Sequence, residues 1–514
     1  MIPNLRYVAS SLVLLIVCGT GYSQSKDVAF PLEHGVLLSD SRFLNYTADG
    51  RLGFALLVGQ DLIVHKLFSF GVDNAAVLGQ FDVTPDLTAH GGTKPPITFI
   101  RLDEQARVVF VYGTTAAGEQ EIVAVSYDDA GHLAKLWVRL YPTTQFVSLA
   151  VTADGGLNLY AIYGQTGVSG GVDRLDLLET ASGAVLASIP LSKAAQSFRS
   201  LVFDSLLQRA VALVDGSAFV FKPEPDGLDL DFVIVSIETS GEPLGVTPDG
   251  RFIVAFAGGR DNPVGDSFLV YDLEAHQAKE FHLPAQFFST GGSLALSPDS
   301  GIIAATPTAG VRAQPGVVKV DIKPRRSVVI DRLSPDGTIT TALQVRVPDA
   351  SVNSGPNRIP PFSRPALSRS GALCFVPSIN GHLFSLDTLT GEIIDDRLIG
   401  SNAASNLQLI EDSGLLSFGT GKNEVLLAGV STGPSISGVK VRRKTTVITG
   451  NNFLVSVRVQ FNGVDVENPA RDPTDPGHRI SVSQGREALT PGQPLRIRII
   501  NRDGLTSNTF TVIP

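Results

Sequence analysis

Short apolar runs separated by turn-forming residues follow one another along most of the chain. The segment Tyr46–Leu57 joins a Thr-Ala-Asp-Gly turn to an apolar run, and the same phrase returns at Val151–Ile162 and Val246–Phe256. Runs of this length bounded by Gly, Asp and Pro predict β-strands and tight turns. We find no long amphipathic helical pattern after the first residues of the chain.

The turn phrase marks a repeat of about fifty residues. Successive anchors are separated by 54, 51, 50, 45, 50, 71 and 42 residues, and they are Asp49, Asp103, Asp154, Asp204, Asp249, Asp299, Ser370 and Asp412. At each full copy Asp accepts a backbone hydrogen bond and Gly takes a positive φ. An apolar strand follows, and a second hairpin with a Gly turn comes later, as in Leu383–Ile394. Four antiparallel strands per unit, repeated radially, predict a β-propeller.

Eight anchors predict eight blades, with seven as the alternative if one weak anchor is misread. The last unit lacks a clear fourth strand, and either Val28–Phe30 or Gly35–Leu38 is expected to supply it and close the ring. The T-x-D-G and S-P-D-G turns, with later D-x-x-T-G turns, resemble the bacterial YVTN and WD-like β-propeller families over residues 27–431. That resemblance implies a fold and leaves the function open.

A second domain is predicted at residues 434–514, where the repeat ends. Alternating strands with Gly and Asn turns suit a small β-sandwich. The pieces I-T-G-N-N-F from Ile448, V-x-F-N-G from Val459 and N-R-D-G-x-T-S-N from Asn501 resemble the IPT/TIG immunoglobulin-like domain. The resemblance implies a spacer or adhesion module and carries over no catalytic residue. The expected fold class is therefore all-β, a propeller followed by an immunoglobulin-like sandwich.

The N-terminal segment has the pattern of a secretory signal peptide. Arg6 precedes an apolar run over residues 8–17, and small residues surround Ser23, after which we expect cleavage. The run is shorter than the about 20 residues that span a bilayer. Lipidation at Cys18 is a weaker alternative, because Val17 stands where a lipobox has a small residue. We therefore expect an exported protein without a transmembrane segment, secreted, periplasmic or at the cell surface.

Composition narrows the function classes further. The net charge of −9 argues against nucleic-acid binding, which needs a basic surface. Cleavage would leave Cys374 as the only cysteine, in an apolar run that predicts a buried, inert thiol. Quinoprotein dehydrogenases, which are also eight-bladed propellers, carry a Trp in nearly every blade, whereas this chain has only Trp137.

No local motif for chemistry is found. The histidines show no metal-ligand spacing, there is no Gly-x-Ser-x-Gly elbow, and no phosphate loop occurs. We therefore expect no metal, no cofactor and no catalytic residues. The loop at 472–477 contains two carboxylates, which suit an ordinary turn better than a calcium site.

Candidate binding residues come from the expected loops of one propeller face. The expected connections between middle strands contain Arg260 with Asp261 in one sheet and Arg312 in the next. Of the expected blade-to-blade segments, 85–96 contains His90, and 334–365 contains Arg358 and Arg364. Arginines around the channel mouth suit a carboxylate, a sugar acid or a partner loop. The alternative is that they are solvated loop residues.

Two classes of function stay open. The first is an exported or cell-surface binding protein, expected to be a monomer, that presents this loop-built face to a protein or carbohydrate partner. The second is a propeller hydrolase or lyase, lactonase-like, acting on a sugar derivative at the channel mouth. Fold alone does not decide between them.

Overall fold

The structure is a computed structural model. It describes residues 28–31, 44–58, 64–74, 76–89, 91–92, 96–141, 148–151, 158–163, 173–191, 200–204, 208–214, 217–224, 227–235, 242–247, 249–257, 267–282, 294–297, 301–305, 327–347, 365–377, 382–398, 407–410, 415–420, 424–430 and 432–514. The predicted signal peptide at residues 1–23, including Cys18, lies outside them.

The fold is nearly all-β and consists of four-stranded antiparallel sheets. The first described strand, β1 (Val28–Pro31), stands apart in sequence from the sheet it joins. After it, seven consecutive sheets each use four successive strands, paired in chain order. Their bounds are, for sheet 1, β2 (Leu44–Tyr46), β3 (Leu52–Val58), β4 (His65–Gly71) and β5 (Val77–Asp82); for sheet 2, β6 (Ile97–Asp103), β7 (Val108–Thr114), β8 (Gln120–Tyr127) and β9 (Leu133–Tyr141); for sheet 3, β10 (Ser148–Val151), β11 (Asn158–Tyr163), β12 (Asp173–Glu179) and β13 (Val185–Leu191); for sheet 4, β14 (Ser200–Asp204), β15 (Arg209–Val214), β16 (Ser217–Glu224) and β17 (Gly227–Ile234).

The remaining sheets of this series have the same plan. Their bounds are, for sheet 5, β18 (Glu242–Val246), β19 (Phe252–Ala257), β20 (Ser267–Asp272) and β21 (Gln277–His282); for sheet 6, β22 (Leu294–Leu296), β23 (Ile302–Ala305), β24 (Ser327–Leu333) and β25 (Ile339–Arg346); for sheet 7, β26 (Ala366–Leu367), β27 (Leu373–Pro377), β28 (His382–Asp387) and β29 (Ile393–Leu398). A short helix, α1 (Thr84–Thr88), lies between sheets 1 and 2.

Sheet 8 is closed by the N-terminal strand. Its strands β30 (Gln408–Ile410), β31 (Leu415–Thr420) and β32 (Glu424–Gly429) are followed by β1, which pairs antiparallel with β32 from Val28↔Leu427 to Pro31↔Glu424. Of the two closing segments that the sequence allows, the first is therefore confirmed. The sheet-8 residue Ile410 also packs with Leu44 and Ala55 of sheet 1, so the last sheet contacts the first.

The repeat anchors lie where the turn chemistry predicts. In sheet 1, Asp49 Oδ1 accepts the Thr47 hydroxyl (2.6 Å) and the Arg51 N–H (3.0 Å), and Gly50 has φ 66°. Sheet 5 repeats the same turn with Asp249. The described anchors, Asp49, Asp103, Asp204, Asp249 and Ser370, end the first strand of a sheet or lie in the turn after it, whereas Asp154, Asp299 and Asp412 lie outside the described residues.

Alternating strand directions give every sheet two different ends. We call the end with the first-to-second and third-to-fourth turns the turn face, and the opposite end the loop face. The first strands of sheets 1 to 8 pack against one another in sequence order. Apolar side chains fill the spaces between sheets, as Phe54 of sheet 1 does beside Tyr127 of sheet 2 (ring centroids 4.7 Å apart). Cys374 lies buried in β27, as its apolar neighbours predict.

One interpretation from the sequence is wrong. The segment 334–365 is not wholly a connection between repeat units, because Ser334–Gly337 forms the turn between β24 and β25, and β25 continues to Arg346. The reason is that a Ser-Pro-Asp-Gly turn serves either hairpin of a sheet. The connection between sheets 6 and 7 is therefore shorter than expected.

The C-terminal residues form two more four-stranded sheets. Sheet 9 contains β33 (Ser435–Val441), β34 (Thr446–Asn451), β37 (Ala470–Arg471) and β38 (Arg479–Val482); sheet 10 contains β35 (Arg458–Phe461), β36 (Val464–Asp465), β39 (Leu495–Ile500) and β40 (Phe510–Val512). A short 3-10 helix covers Arg486–Ala488. Both sheets contribute to one apolar core, with Ile448 and Ile497 fully buried. We call this unit the C-terminal sandwich.

Candidate functional site

The binding residues proposed from the sequence are not among the residues that the structure describes. In the sequence, Arg260 and Asp261 follow β19, Arg312 follows β23, and the others belong to the segments that follow β5 and β25. Whether they converge stays a prediction for Arg260, Asp261, Arg312, Arg358, Arg364 and His90.

The best-defined polar site in the described part of the chain is built around Asp387. This residue ends β28 and starts the Asp-Thr-Leu-Thr-Gly turn of sheet 7. Its Oδ1 accepts the N–H groups of Leu389 (2.8 Å) and Thr390 (3.3 Å), and Gly391 closes the turn at φ 72°. The carboxylate is fully buried, with a side-chain exposure of 0%. A charge at such a position needs a compensating partner.

The partner comes from the C-terminal sandwich. Arg502 Nη1 donates to Asp387 Oδ2 at 2.6 Å, and Nη2 donates to the Ala372 carbonyl at 3.3 Å. The backbone N–H of Val455, also in the sandwich, donates to the same Oδ2 at 3.1 Å. The buried carboxylate therefore joins sheet 7 to two segments of the second unit.

Sheet 5 contains an equivalent buried aspartate whose arginine partner comes from the same sheet. There Asp272 stands opposite Phe252 in the strand register, as Asp387 stands opposite Leu373. In sheet 5 the residue before Phe252 is Arg251, which binds Asp272 through Nε (3.3 Å) and Nη2 (2.9 Å). Burial acts to raise the pKa of Asp272, but the hydrogen bonds from Arg251 and from backbone N–H groups hold it below its usual value.

In sheet 7 the residue that corresponds to Arg251 is Ala372. Sheet 7 thus has the buried aspartate of sheet 5 without an arginine at the corresponding position. Arg502 supplies the missing guanidinium from the sandwich. The contact is therefore specific to sheet 7. The small Ala372 side chain leaves room for the Arg502 guanidinium and does not neutralise the Asp387 carboxylate.

The sandwich also takes the position that a turn of the following sheet occupies on other outer strands. In several sheets the third-to-fourth turn packs on the outer strand of the preceding sheet through a glycine. An added Cβ would lie 2.7 Å from Leu78 at Gly131, 2.7 Å from Trp137 at Gly183 and 2.5 Å from Val345 at Gly391. Sheet 8 has no such turn, because its outer strand is β1.

The sandwich occupies that place on sheet 7. Gly477 lies against β29, where an added Cβ would be 2.3 Å from the Ile394 carbonyl oxygen. Arg471 forms an ion pair with Glu392 of the sheet-7 turn. In this loop Asp472 Oδ1 accepts the N–H (3.0 Å) and hydroxyl (2.7 Å) of Thr474, so its carboxylate forms a turn.

Apolar contact completes the junction. Leu454 of the sandwich is fully buried among residues of sheets 7 and 8, including Leu373 and Leu416. The asparagines of the sequence motif position it: Asn501 Oδ1 accepts the Leu454 N–H at 3.2 Å, and Asn501 Nδ2 donates to the Asn452 carbonyl at 2.9 Å. Residues that carry the IPT/TIG resemblance therefore hold the segment that enters the other unit.

A different group of titratable residues lies between sheets 1 and 2. Glu121 of β8 is 1% exposed, and its Oε2 has no hydrogen-bond partner among the described residues. Burial, with a contribution from the neighbouring Asp86 charge, raises the pKa of Glu121 to about 7. Lys135 pairs with Asp86 at 2.5 Å beside it. This arrangement can hold a proton near neutral pH.

The described residues contain no group of three or more His, Cys, Asp or Glu side chains placed to hold a metal ion. Within the same ranges, no helix has both the length and the apolar character needed to cross a bilayer.

Comparison with known proteins is limited to structure. No protein-family model and no curated protein matches the chain. Solved structures that resemble it include the computationally designed Ika8 protein (12% identity, 78% of this chain and 98% of that chain, TM-score 0.46). BamB from Moraxella catarrhalis is similar at 13% identity over 78% and 99% of the two chains, with a TM-score of 0.45. The Cps50 (Swd1) beta-propeller domain of Myceliophteria thermophila matches at 11% identity over 66% and 100%, with a TM-score of 0.39. Likeness at this level is no basis for an activity, ligand or partner.

Proposed function

We propose that this protein is an exported or cell-surface binding protein. An eight-bladed propeller presents its loop face to a protein or carbohydrate partner, and an immunoglobulin-like, IPT/TIG-type sandwich is fixed to the turn face. Sheets 1 to 8 are the blades in this proposal. The pairing of β1 with β32 and the packing of Ile410 on sheet 1 support a closed ring.

The observation that carries the proposal is the junction of Arg502 with Asp387. Every contact described above between sheet 7 and the sandwich lies on the turn face or on β29. A buried ion pair, an inserted Leu454 and a close-packed Gly477 hold the sandwich in one orientation. The loop face is left to bind, so the sandwich acts as a rigid spacer.

Ligand binding at the loop face tests the proposal directly. Arg260→Ala combined with Arg312→Ala should abolish the thermal shift that glucuronate or succinate produces in the wild-type chain, because the arginines are proposed to bind carboxylates. The matched control is Arg458→Ala with Arg498→Ala, two exposed arginines of sheet 10. An equal shift in all three chains would contradict a binding role for the loop arginines.

Export is tested separately. The chain should be recovered from the secreted or periplasmic fraction with an N-terminus near residue 24. Recovery of the uncleaved chain in the cytosol would contradict this part of the proposal without affecting the binding test.

A further inference from the structure

The C-terminal sandwich has the opposite charge to the rest of the chain. Residues 432–514 contain eleven Lys and Arg against six Asp and Glu, a net charge of +5, whereas residues 1–431 have a net charge of −14. An asymmetry of this size within one acidic protein indicates that the basic unit faces an anionic partner.

The charge is concentrated at one end of the sandwich. The turn between β33 and β34 contains three successive cations, Arg442, Arg443 and Lys444, and Lys440 precedes them by two residues. We call these four residues the basic tip. All four are exposed, and the side chain of Arg443 is 82% exposed.

The basic tip is at the end of the sandwich that lies away from sheet 7. The junction uses the segment after β34, the loop before β38 and the segment after β39. In the β33–β34 ladder, Ser435↔Asn451 lies at that junction end and Val441↔Thr446 at the other. The rigid junction therefore holds the tip at a fixed position, distal to the propeller.

The backbone of the tip is held in place by its neighbours. The Thr446 hydroxyl donates to the Gln484 carbonyl at 2.5 Å, and the Glu487 N–H donates to the Arg443 carbonyl at 3.2 Å. Gly485 packs so closely that an added Cβ would lie 2.4 Å from the Arg442 carbonyl oxygen. The turn is thus a preformed, protruding feature.

One of the four charges is compensated and three are not. Arg443 Nε pairs with Glu487 Oε1 at 2.5 Å. Among residues 432–514, all of which the structure describes, no ion pair is formed by Lys440, Arg442 or Lys444. Exposed cations without ion-pair partners on a single turn suit a flat anionic surface.

We propose that the basic tip docks the protein on an anionic lipid surface. This inference rests on the proposed function, since it gives the rigid spacer a surface to stand on and leaves the loop face of the propeller available to its partner. Recognition is electrostatic: Lys and Arg side chains attract anionic headgroups, and the interaction weakens within a Debye length.

The experiment is vesicle co-sedimentation with the full chain. At about 50 mM salt, the wild-type protein should bind vesicles of phosphatidylcholine that contain about 30 mol% phosphatidylglycerol. It should not bind vesicles of phosphatidylcholine alone. Arg442→Gln with Lys444→Gln should weaken binding about 25-fold, about fivefold for each cation removed. Raising the salt concentration should reduce the wild-type affinity toward that of the variant.

The matched control is Arg458→Gln with Arg498→Gln, which removes the same charge from the face of sheet 10 and should change the affinity by less than about threefold. All three chains share the same N-terminal residues, so any contribution of the apolar run at 8–17 is common to them. The inference is overturned if the wild type ignores anionic vesicles. It is also overturned if both variants lose the same vesicle affinity, or if the tip binds a soluble acidic polysaccharide and no vesicle.

Failure here is distinguishable from failure of the proposed function. Ligand-induced thermal shifts at the loop face are measured without vesicles, and the tip variant should keep them. A chain that binds ligand but no vesicle keeps its binding role and loses only the docking surface.

Discussion

The junction makes a prediction that can be worked from its geometry. Arg502→Ala removes the guanidinium that binds Asp387 and leaves a carboxylate that is 0% exposed. Removing one partner of a buried pair costs about 3–5 kcal/mol. Three backbone N–H donors stay on Asp387, and Arg502 itself is 19% exposed. We therefore expect the free energy of unfolding to fall by about 2–3 kcal/mol, at or below the lower end of that range.

The matched control is Arg251→Ala in sheet 5. It breaks the equivalent pair within one sheet, where Arg251 is 33% exposed and Asp272 7%. Greater solvent screening should limit the loss to about 1 kcal/mol. The control does not touch the sandwich.

Two readouts separate the units of the chain. Trp137, the single tryptophan, lies in sheet 2, so its fluorescence follows unfolding of the sheets. Limited proteolysis of the segment 430–434 reports release of the sandwich. Arg502→Ala should accelerate this cleavage before Trp137 emission changes, whereas Arg251→Ala should leave the cleavage rate unchanged. Equal cleavage rates in both variants would refute the reasoning.

Ala372→Arg sharpens the test. An arginine at this position gives sheet 7 the residue that Arg251 provides in sheet 5. In the wild-type background it should compete with Arg502 and release the sandwich. In the Arg502→Ala background it should recover about 1–2 kcal/mol, because the buried carboxylate regains a cation. No recovery would show that Asp387 does not need the guanidinium.

Three further predictions concern single positions. The pKa of Glu121 is raised from 4.5 in the unfolded chain to about 7 in the fold, so the folded chain binds a proton between these pH values and its stability should fall by at most about 3 kcal/mol as the pH rises from 4.5 through 7. Urea denaturation at pH 5, 6 and 8 should show this decrease for the wild type and not for Glu121→Gln, and an equal decrease in both chains would contradict it. Gly183→Ala should destabilise the fold by about 2 kcal/mol and shift Trp137 emission, because its Cβ would lie 2.7 Å from the indole, whereas Gly118→Ala, at a similar φ with no atom within 4 Å, should show only the smaller backbone effect. Burial raises the pKa of the Cys374 thiol, so in a Cys18→Ser background it should react with a disulfide reagent only after denaturation; fast labelling of the native chain would contradict the buried position.

The repeat could be predicted from the sequence because its information is local. Asp49 and Gly50 form their turn within a few residues, and the strand that follows is continuous in sequence. The same property explains the error at Ser334–Gly337. A turn of this composition fits either hairpin of a sheet, so its position in the repeat is decided by the strands that pair around it.

The junction could be predicted only in part. The Asp-x-x-Thr-Gly turn identifies Asp387 as a turn residue, and alignment of the repeat places Ala372 where Arg51 and Arg251 stand in two other copies. Its replacement is 115 residues away from Asp387. Any exposed arginine satisfies the charge, and no local pattern selects Arg502. Glu121 was missed for the same reason, since its pKa depends first on burial and then on the charges of Asp86 and Lys135 from other elements.

The pairing of β1 with β32 and the docking of the sandwich are linked by the order of the chain. Because β1 supplies the outer strand of sheet 8, the chain after β32 has no fourth strand to form and passes into β33 within a few residues. That leaves β29 of sheet 7 without the turn of a following sheet, and the Gly477 loop fills the position. Leu454 then contacts residues of both sheets 7 and 8. Losing the sandwich would uncover these apolar residues of sheets 7 and 8. Disruption of the pair between Asp387 and Arg502 should therefore lower the unfolding temperature of sheets 7 and 8 as well as release the sandwich.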